Sequence, residues 1–546
     1  MNATTAPPSD NIPPFPARAR GRSPGKRVLI WVLGLGLGAG ALVALFYLEE
    51  LARGAWAWRA CERELRAQGV PTKVKDIAPP PVPDDQNFAM TAFLAPLFDF
   101  LPGTQTWRDT NAVQRIQRFA NDLPDLSSTQ AGWPAAQRTD FGAWLAAFEE
   151  SARRHAGTLG EPATAFPTLD PASAARRLLD ALKPYDAVLA ELRTASQRPQ
   201  ARFNLRYDNE DAAAILLPHL AVLRKCTRVL ALRASAELTL NQADAGLEDV
   251  LLAVRFVDAL REEPLLISRL VRIAMIQTLL QPVWEGLADH RWQELHLARL
   301  QQRLQQFDLF EDSRLAFRGE QAFGNTIIAQ VRAEPRLLGR VGSLEPARGG
   351  GPDAVCLLLP RGWLYHEQVT YNQLFEQYVS AGVDVAARRF HPSQIEQGAQ
   401  QLQQALGRDL ADRLFRHRLL SAMLLPAIQK AHQKFARAQT AVDQAVIACA
   451  LERARLAKGQ VPGDLASLAP SLLAKVTPDV VTGQPLKYQA GAAGSYVLYS
   501  VGWNEKDDGA TVEFTAKPSA KVSAVPDFAR GDWVWRTPTP TPTPTP

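Results

Sequence analysis

Apolar and polar positions divide this chain into three regimes. Val28–Leu48, "VLIWVLGLGLGAGALVALFYL", is an unbroken uncharged run between Arg27 and Glu49. A helix needs about 20 apolar residues to cross a bilayer core, so the run predicts a transmembrane helix over 28–48. From 139 to 440 apolar residues recur at steps of three and four, which predicts a series of amphipathic helices. In "DAAAILLPHLAVLRKCTRVLALRASAEL" that spacing puts Leu216, Leu220, Leu223, Val229 and Leu232 on one face and turns Arg224, Lys225 and Arg228 elsewhere. Short polar breaks between such segments predict antiparallel neighbours. Beyond Lys458 the runs shorten. "DVVTGQPLKYQ", "GAAG" and "SYVLYSV" read as turn and strand, hairpin loop, and returning strand, with Tyr496, Leu498 and Ser500 on one face.

Charge orients the apolar run. Arg18, Arg20, Arg22, Lys26 and Arg27 precede it against only Asp10, and Glu49 and Glu50 follow it. Positive charge stays on the cytoplasmic side, so the N-terminus is expected inside and the bulk of the chain outside. A cleaved signal peptide is the rival, but its apolar core is shorter and ends in an Ala-x-Ala-like site. Here helical sequence continues through "LARGAWAWRACERELRAQG", which favours an uncleaved anchor with Trp56 and Trp58 near the outer interface. Gly34 and Gly38 stand at the spacing that lets two membrane helices approach closely, so a homodimer through them is one expectation.

The expected organisation is a disordered cytoplasmic tail over 1–27 and the span over 28–48. A juxtamembrane helix and Pro-rich segment follow over 49–138, then an α-helical domain over 139–440 with a Gly/Pro loop near 332–361. A small α+β unit occupies 441–520, and a Pro/Thr-rich tail 521–546. The fold class is therefore mainly α, in a chain of 546 residues that is long enough for two or three domains. A net charge of +5 over that length gives no basic face for nucleic acid.

Candidate chemistry is sparse. The four cysteines, Cys61, Cys226, Cys356 and Cys449, form no Cys-x-x-Cys pair. The eight histidines include no His-x-x-x-His spacing, and no Gly-x-Ser-x-Gly elbow or phosphate-binding Gly-rich loop occurs. "GLGLGAG" lies inside the apolar run, without the strand and helix a dinucleotide site needs. Asp84, Asp85 and Asn87 in the Pro-rich segment read as turn residues or a cap. Acid pairs such as Glu149–Glu150 read as solvated helix faces.

Two resemblances add to this. "ALRASAELTLNQADAGLEDVLLAVRF" is loosely similar to a tetratricopeptide-type turn, without that family's regular period. Residues 440–515 resemble the C-terminal part of type II secretion major pseudopilins. Gly459, Pro462, Asp479, Gly483, Pro485 and Tyr488 carry it, followed by Tyr496, Tyr499, Ser500, Gly502, Asn504, Asp507 and Asp508. The resemblance implies a long helix, a bend, a small strand hairpin and an acidic loop that holds calcium. The side chains of Asn504, Asp507 and Asp508 and the carbonyls of Leu498 and Ser500 would supply the oxygens. Asn504 and Glu505 depart from the family's Asp and Gly. The apolar helix also lies far upstream of this unit, so a processed filament subunit is not implied.

The function expected from these features is non-enzymatic: a scaffold or protein-interaction protein anchored in the bacterial inner membrane, with an envelope protein partner and the lipid bilayer as contacts. One alternative is an envelope enzyme with an inter-helix pocket, using Glu320, Arg318 or His366. Another is a polymer-binding module with Trp363 and Tyr365 as stacking surfaces.

Overall fold

A computed structural model describes residues 24–124, 132–155, 169–207, 215–338, 359–515 and 526–537. The chain is mainly helical with a few short strands, as its periodicity predicts. Helix α1 (Pro24–Ala67) carries the apolar run. Residues 24–27, expected in the disordered tail, are already helical, and residues 1–23 lie outside the described set. The helix runs on past Glu49 without a break, so the expected span and juxtamembrane helix are one rod.

Among the described residues, two helices are long and apolar enough to cross a membrane. The side chains of the Val28–Leu48 run in α1 are exposed throughout. The other candidate, α8 (Leu266–Ala288), is largely buried in the body and carries Arg269 and Arg272, both paired with Asp312. Charged residues with protein partners mark α8 as a core helix.

Between them come α2 (Thr110–Asp122), α3 (Phe141–His155), α4 (Pro171–Leu182), α5 (Asp186–Ala195), α6 (Pro218–Thr239) and α7 (Ala243–Ala259). Asp109 caps α2 by accepting from the Ala112 N–H at 2.8 Å, and Asp170 caps α4 from Ser173 at 3.0 Å. The periodic stretch around Leu216 is shorter as a helix than its pattern suggests. Pro218 has no N–H and its ring blocks a preceding turn, so it starts α6 and leaves Leu216 outside, exposed. α6 and α7 form the expected antiparallel hairpin.

α9 (Glu294–Leu304) and α10 (Leu309–Ala333) follow, then α11 (Arg361–Leu374), which ends in a π turn at Phe375–Val379. Much of the expected 332–361 loop, residues 339–358, lies outside the described residues. A short ribbon, β1 (Val383–Asp384) and β2 (Arg389–Phe390), leads to α12 (Pro392–Ala405), α13 (Leu410–Phe415), α14 (Leu419–Gln429) and α15 (Ala431–Lys458).

The C-terminal elements pack on α15. Gly459 closes that helix in the left-handed conformation at φ 79°, donating to the Arg455 carbonyl at 2.7 Å. Then come β3 (Lys487–Ala490), β4 (Tyr496–Ser500), β5 (Val512–Phe514), β6 (Pro526–Gly531) and β7 (Trp533–Arg536). β3, β4 and β7 make an antiparallel sheet in that order, with Tyr488 opposite Leu498 and Leu498 opposite Trp535; β5 pairs with β6.

Two expected boundaries are corrected here. The 440/441 division cuts through α15, whose Thr440 and Ala441 are both buried within it. Residues 526–536, expected in a tail, supply two strands. The cause is the apolar run Trp533-Val534-Trp535, all buried, which outweighs the Pro-rich composition on either side. The Trp284 indole N–H reaches the Arg536 carbonyl at 2.9 Å and fastens β7 to α8. One continuous set of buried apolar side chains runs from Val74 to Trp535, with Phe435, Val442 and Ile447 of α15 among them.

Candidate functional site

The continuation of α1 beyond the apolar run lies against α11. Gly54 and Gly362 meet where the two helices cross: a methyl group on Gly54 would come 2.4 Å from the Gly362 carbonyl oxygen. A groove of about 750 Å³ lies between α1, α10, α11 and the Thr72–Lys75 segment. Trp58 stands about 15 Å along the helix from Leu48, at 1.5 Å per residue.

Its walls mix stacking surface, amides and both signs of charge. Trp58 and Tyr365 are the aromatic faces, and the Arg332 guanidinium lies 3.8 Å from the Tyr365 ring centre. Arg332 also donates to the Gln368 amide oxygen, and burial lowers its pKa. The Gln368 amide N–H donates in turn to the Asn325 carbonyl at 3.1 Å. Behind it Asn325, Asn372 and Gln321 form a buried chain, with Asn372 donating to Asn325 at 2.7 Å and Gln321 to Asn372 at 2.9 Å. A satisfied amide chain of this kind fixes the register of α10 against α11. On the facing side Glu62 accepts from Thr72 at 3.2 Å and from Arg66 at 2.8 Å, while the Val74 N–H donates to Thr326 at 3.1 Å.

Tyr207 forms part of the lining, and its hydroxyl is buried without a hydrogen-bond partner among the described residues. Burial, with Glu263 nearby, pushes the phenol pKa up and keeps it neutral. His219 and Glu263 are themselves a buried pair at 2.6 Å, with Phe203 stacked on the imidazole at 4.2 Å. No histidine, cysteine or serine lines the groove among the described residues.

The residues named for the enzyme alternative are not gathered there. Arg318 pairs with Glu376 and with Gln321. Glu320 is half-buried, and desolvation raises its pKa to about 7, but it makes no side-chain hydrogen bond among the described residues. His366 stacks on His417 at 5.0 Å beside the Gly54–Gly362 crossing, and burial lowers the pKa of both rings, that of His417 to about 4. Trp363 and Tyr365 are also separated. Two residues apart on a helix, they face opposite ways: Tyr365 lines the groove, and Trp363 packs on Phe415 and His417.

The acidic loop expected to hold calcium is organised by protein donors. The Asn504 amide donates to Asp508 at 2.8 Å, and Asp507 accepts from the Tyr499 hydroxyl and the Gly509 N–H, each at 3.1 Å. Lys487 lies 3.4 Å from Asp507. The Ser500 hydroxyl donates to Asp479 at 2.9 Å, and the Leu498 carbonyl accepts from Gln444 at 3.4 Å. Asp532, absent from the expected set, accepts the N–H groups of Asp508, Ala510 and Thr511 at 3.2, 2.6 and 3.2 Å. These oxygens are committed to neighbouring donors, and no group of three His, Cys, Asp or Glu side chains suited to a metal occurs among the described residues. The loop therefore fits a hydrogen-bonded turn centred on Asp532 better than a calcium ion, which wants six to eight oxygens.

Gly34 and Gly38 lie along an exposed face of α1 with Trp31, Leu35, Leu42 and Leu45. No family model, curated protein or solved structure matches this chain.

Proposed function

We propose that this protein is a single-pass, membrane-anchored binding protein of the bacterial envelope. Its groove beside the anchor helix receives a segment of a partner polypeptide. The N-terminus lies in the cytoplasm and the helical body outside, a topology that the Arg/Lys asymmetry around Val28–Leu48 supports. The observation that carries the reading is that α1 forms one wall of the groove, so an occupant is held close to the bilayer surface. The mixture of Trp58, Tyr365, Gln330, Gln368 and charges of both signs suits an extended peptide, whose main chain asks for amide partners and whose side chains ask for stacking surface. The resemblance of residues 440–515 to a pseudopilin head supports a partner from a secretion or pilus-like assembly.

The test compares detergent-solubilised wild type with Tyr365→Ala and Gln368→Ala in quantitative affinity capture. A partner protein retained by wild type and reduced at least fivefold in both variants is expected. An identical partner set in all three samples removes the groove from the account.

A further inference from the structure

A second cavity shares no residue with the groove. It holds about 330 Å³ and lies between α6, α8, α15, β6 and the Gly132–Pro134 turn. That volume is at the lower end for small-molecule sites, which run from about 300 to 1,000 Å³. Trp133, Trp144 and Phe528 provide aromatic walls, and Ala231 and Leu232 add apolar surface.

Among the described residues two arginines reach it and no carboxylate lines it. Arg228 lies over the Trp144 ring at 5.9 Å, and Arg437 lies over Phe528. Arg437 is half-buried and makes no hydrogen bond or ion pair among the described residues. Other arginines of the core behave differently: Arg269 and Arg272 share Asp312, and Arg455 holds Glu452 at 2.7 Å. An arginine keeps its charge, so a partly buried guanidinium without a carboxylate is a ready donor to an anion. Burial lowers the pKa of Arg437. The Gln277 side-chain amide, which lines the cavity from α8, also makes no hydrogen bond among the described residues.

We propose that this cavity binds a small organic carboxylate with an aromatic body. The carboxylate accepts from Arg437 and Gln277, and the ring lies between Trp133, Trp144 and Phe528. Charge-assisted hydrogen bonds of this type are the stronger kind, and the aromatic walls add area that is insensitive to ligand detail.

Calorimetric titration of the full-length protein in detergent tests this with naphthalene-2-carboxylate and its neutral amide, naphthalene-2-carboxamide. The carboxylate is expected to bind at least tenfold more tightly than the amide. Arg437→Gln should remove that preference, leaving the two probes equal. Thr278→Phe, which fills the cavity from α8, should abolish binding of both, and it serves as the independent variant where Arg437→Gln lowers the melting temperature. Equal binding of carboxylate and amide by wild type overturns the proposal. So does undetectable binding of the carboxylate, or unchanged binding in Thr278→Phe.

Discussion

Gly54 and Gly362 cross so closely that neither has room for a side chain. A methyl group on Gly362 would come 2.2 Å from the Glu50 carbonyl oxygen, and one on Gly54 would meet the Gly362 carbonyl. This crossing joins α1 to the helical body, and the small cluster of Trp58, Leu65 and Val70 with Tyr365 and Val369 packs beside it.

Gly362→Ala is therefore expected to loosen α1 from α11 and to lower stability by about 1–3 kcal/mol, the usual cost of overpacking. Gly40→Ala, with nothing within 4 Å, serves as the neutral control. Thermal melting with limited proteolysis between α1 and the body measures both. Equal melting of the two variants would show that the crossing does not hold the helices.

Asp312 is the shared partner of two buried guanidiniums, with Arg269 at 2.6 Å. Asp312→Asn leaves both cations without their carboxylate. The expected loss is about 3–5 kcal/mol, because an uncompensated charge stays buried. Chemical denaturation gives the value. A loss below that of an ordinary surface substitution would mean that the two arginines find other partners, Asp258 being the nearest to Arg272 at 3.7 Å.

Asp443 gives stability a dependence on pH. It is buried in α15, accepts from Gln439 at 3.0 Å, and has its pKa raised to about 7, first by burial. A carboxyl whose folded pKa lies above its unfolded value stabilises fully below the unfolded value, near 4, and this contribution is lost as pH rises through 7. The stability of wild type minus that of Asp443→Asn should therefore fall by a few kcal/mol between pH 4 and pH 7 and then stay flat. Denaturation at four pH values measures it. A difference that is constant, or that grows with pH, would contradict a protonated Asp443.

Topology is read by thiol labelling in a cysteine-free background. Gln403→Cys, exposed on α12, should react with an impermeant maleimide in cells whose outer membrane is opened, and Ser9→Cys only after the inner membrane is opened. The reverse pattern would invert the protein in the membrane.

Much of this architecture was legible in the residue pattern. The apolar run, the α6–α7 hairpin, the Gly459 cap and the β3–β4 hairpin all rest on local signals: period, turn chemistry and a residue that tolerates positive φ. The missed parts rest on distant partners. Trp533–Trp535 reads as the start of a Pro-rich tail until α8, β4 and α15 give it a surface to cover. Asp532 gains its role only when β7 brings it to the acidic loop. The groove is harder still, because Trp58, Arg332 and Tyr365 come from three segments with no shared motif. His366 and Glu320 stood out by residue type alone, and residue type does not say which neighbours folding supplies.

The central claim is that the groove holds a partner polypeptide, and a photo-crosslinking amino acid in place of Ala329 tests it most directly. Ala329 lines the groove on α10, and Gln403 on α12 gives an exposed control site. Irradiation in intact cells should yield a discrete adduct from position 329, containing a peptide of another protein, that is absent from position 403 and reduced by Tyr365→Ala. Adducts confined to this chain or to lipid, or the same adducts from both positions, would contradict the account.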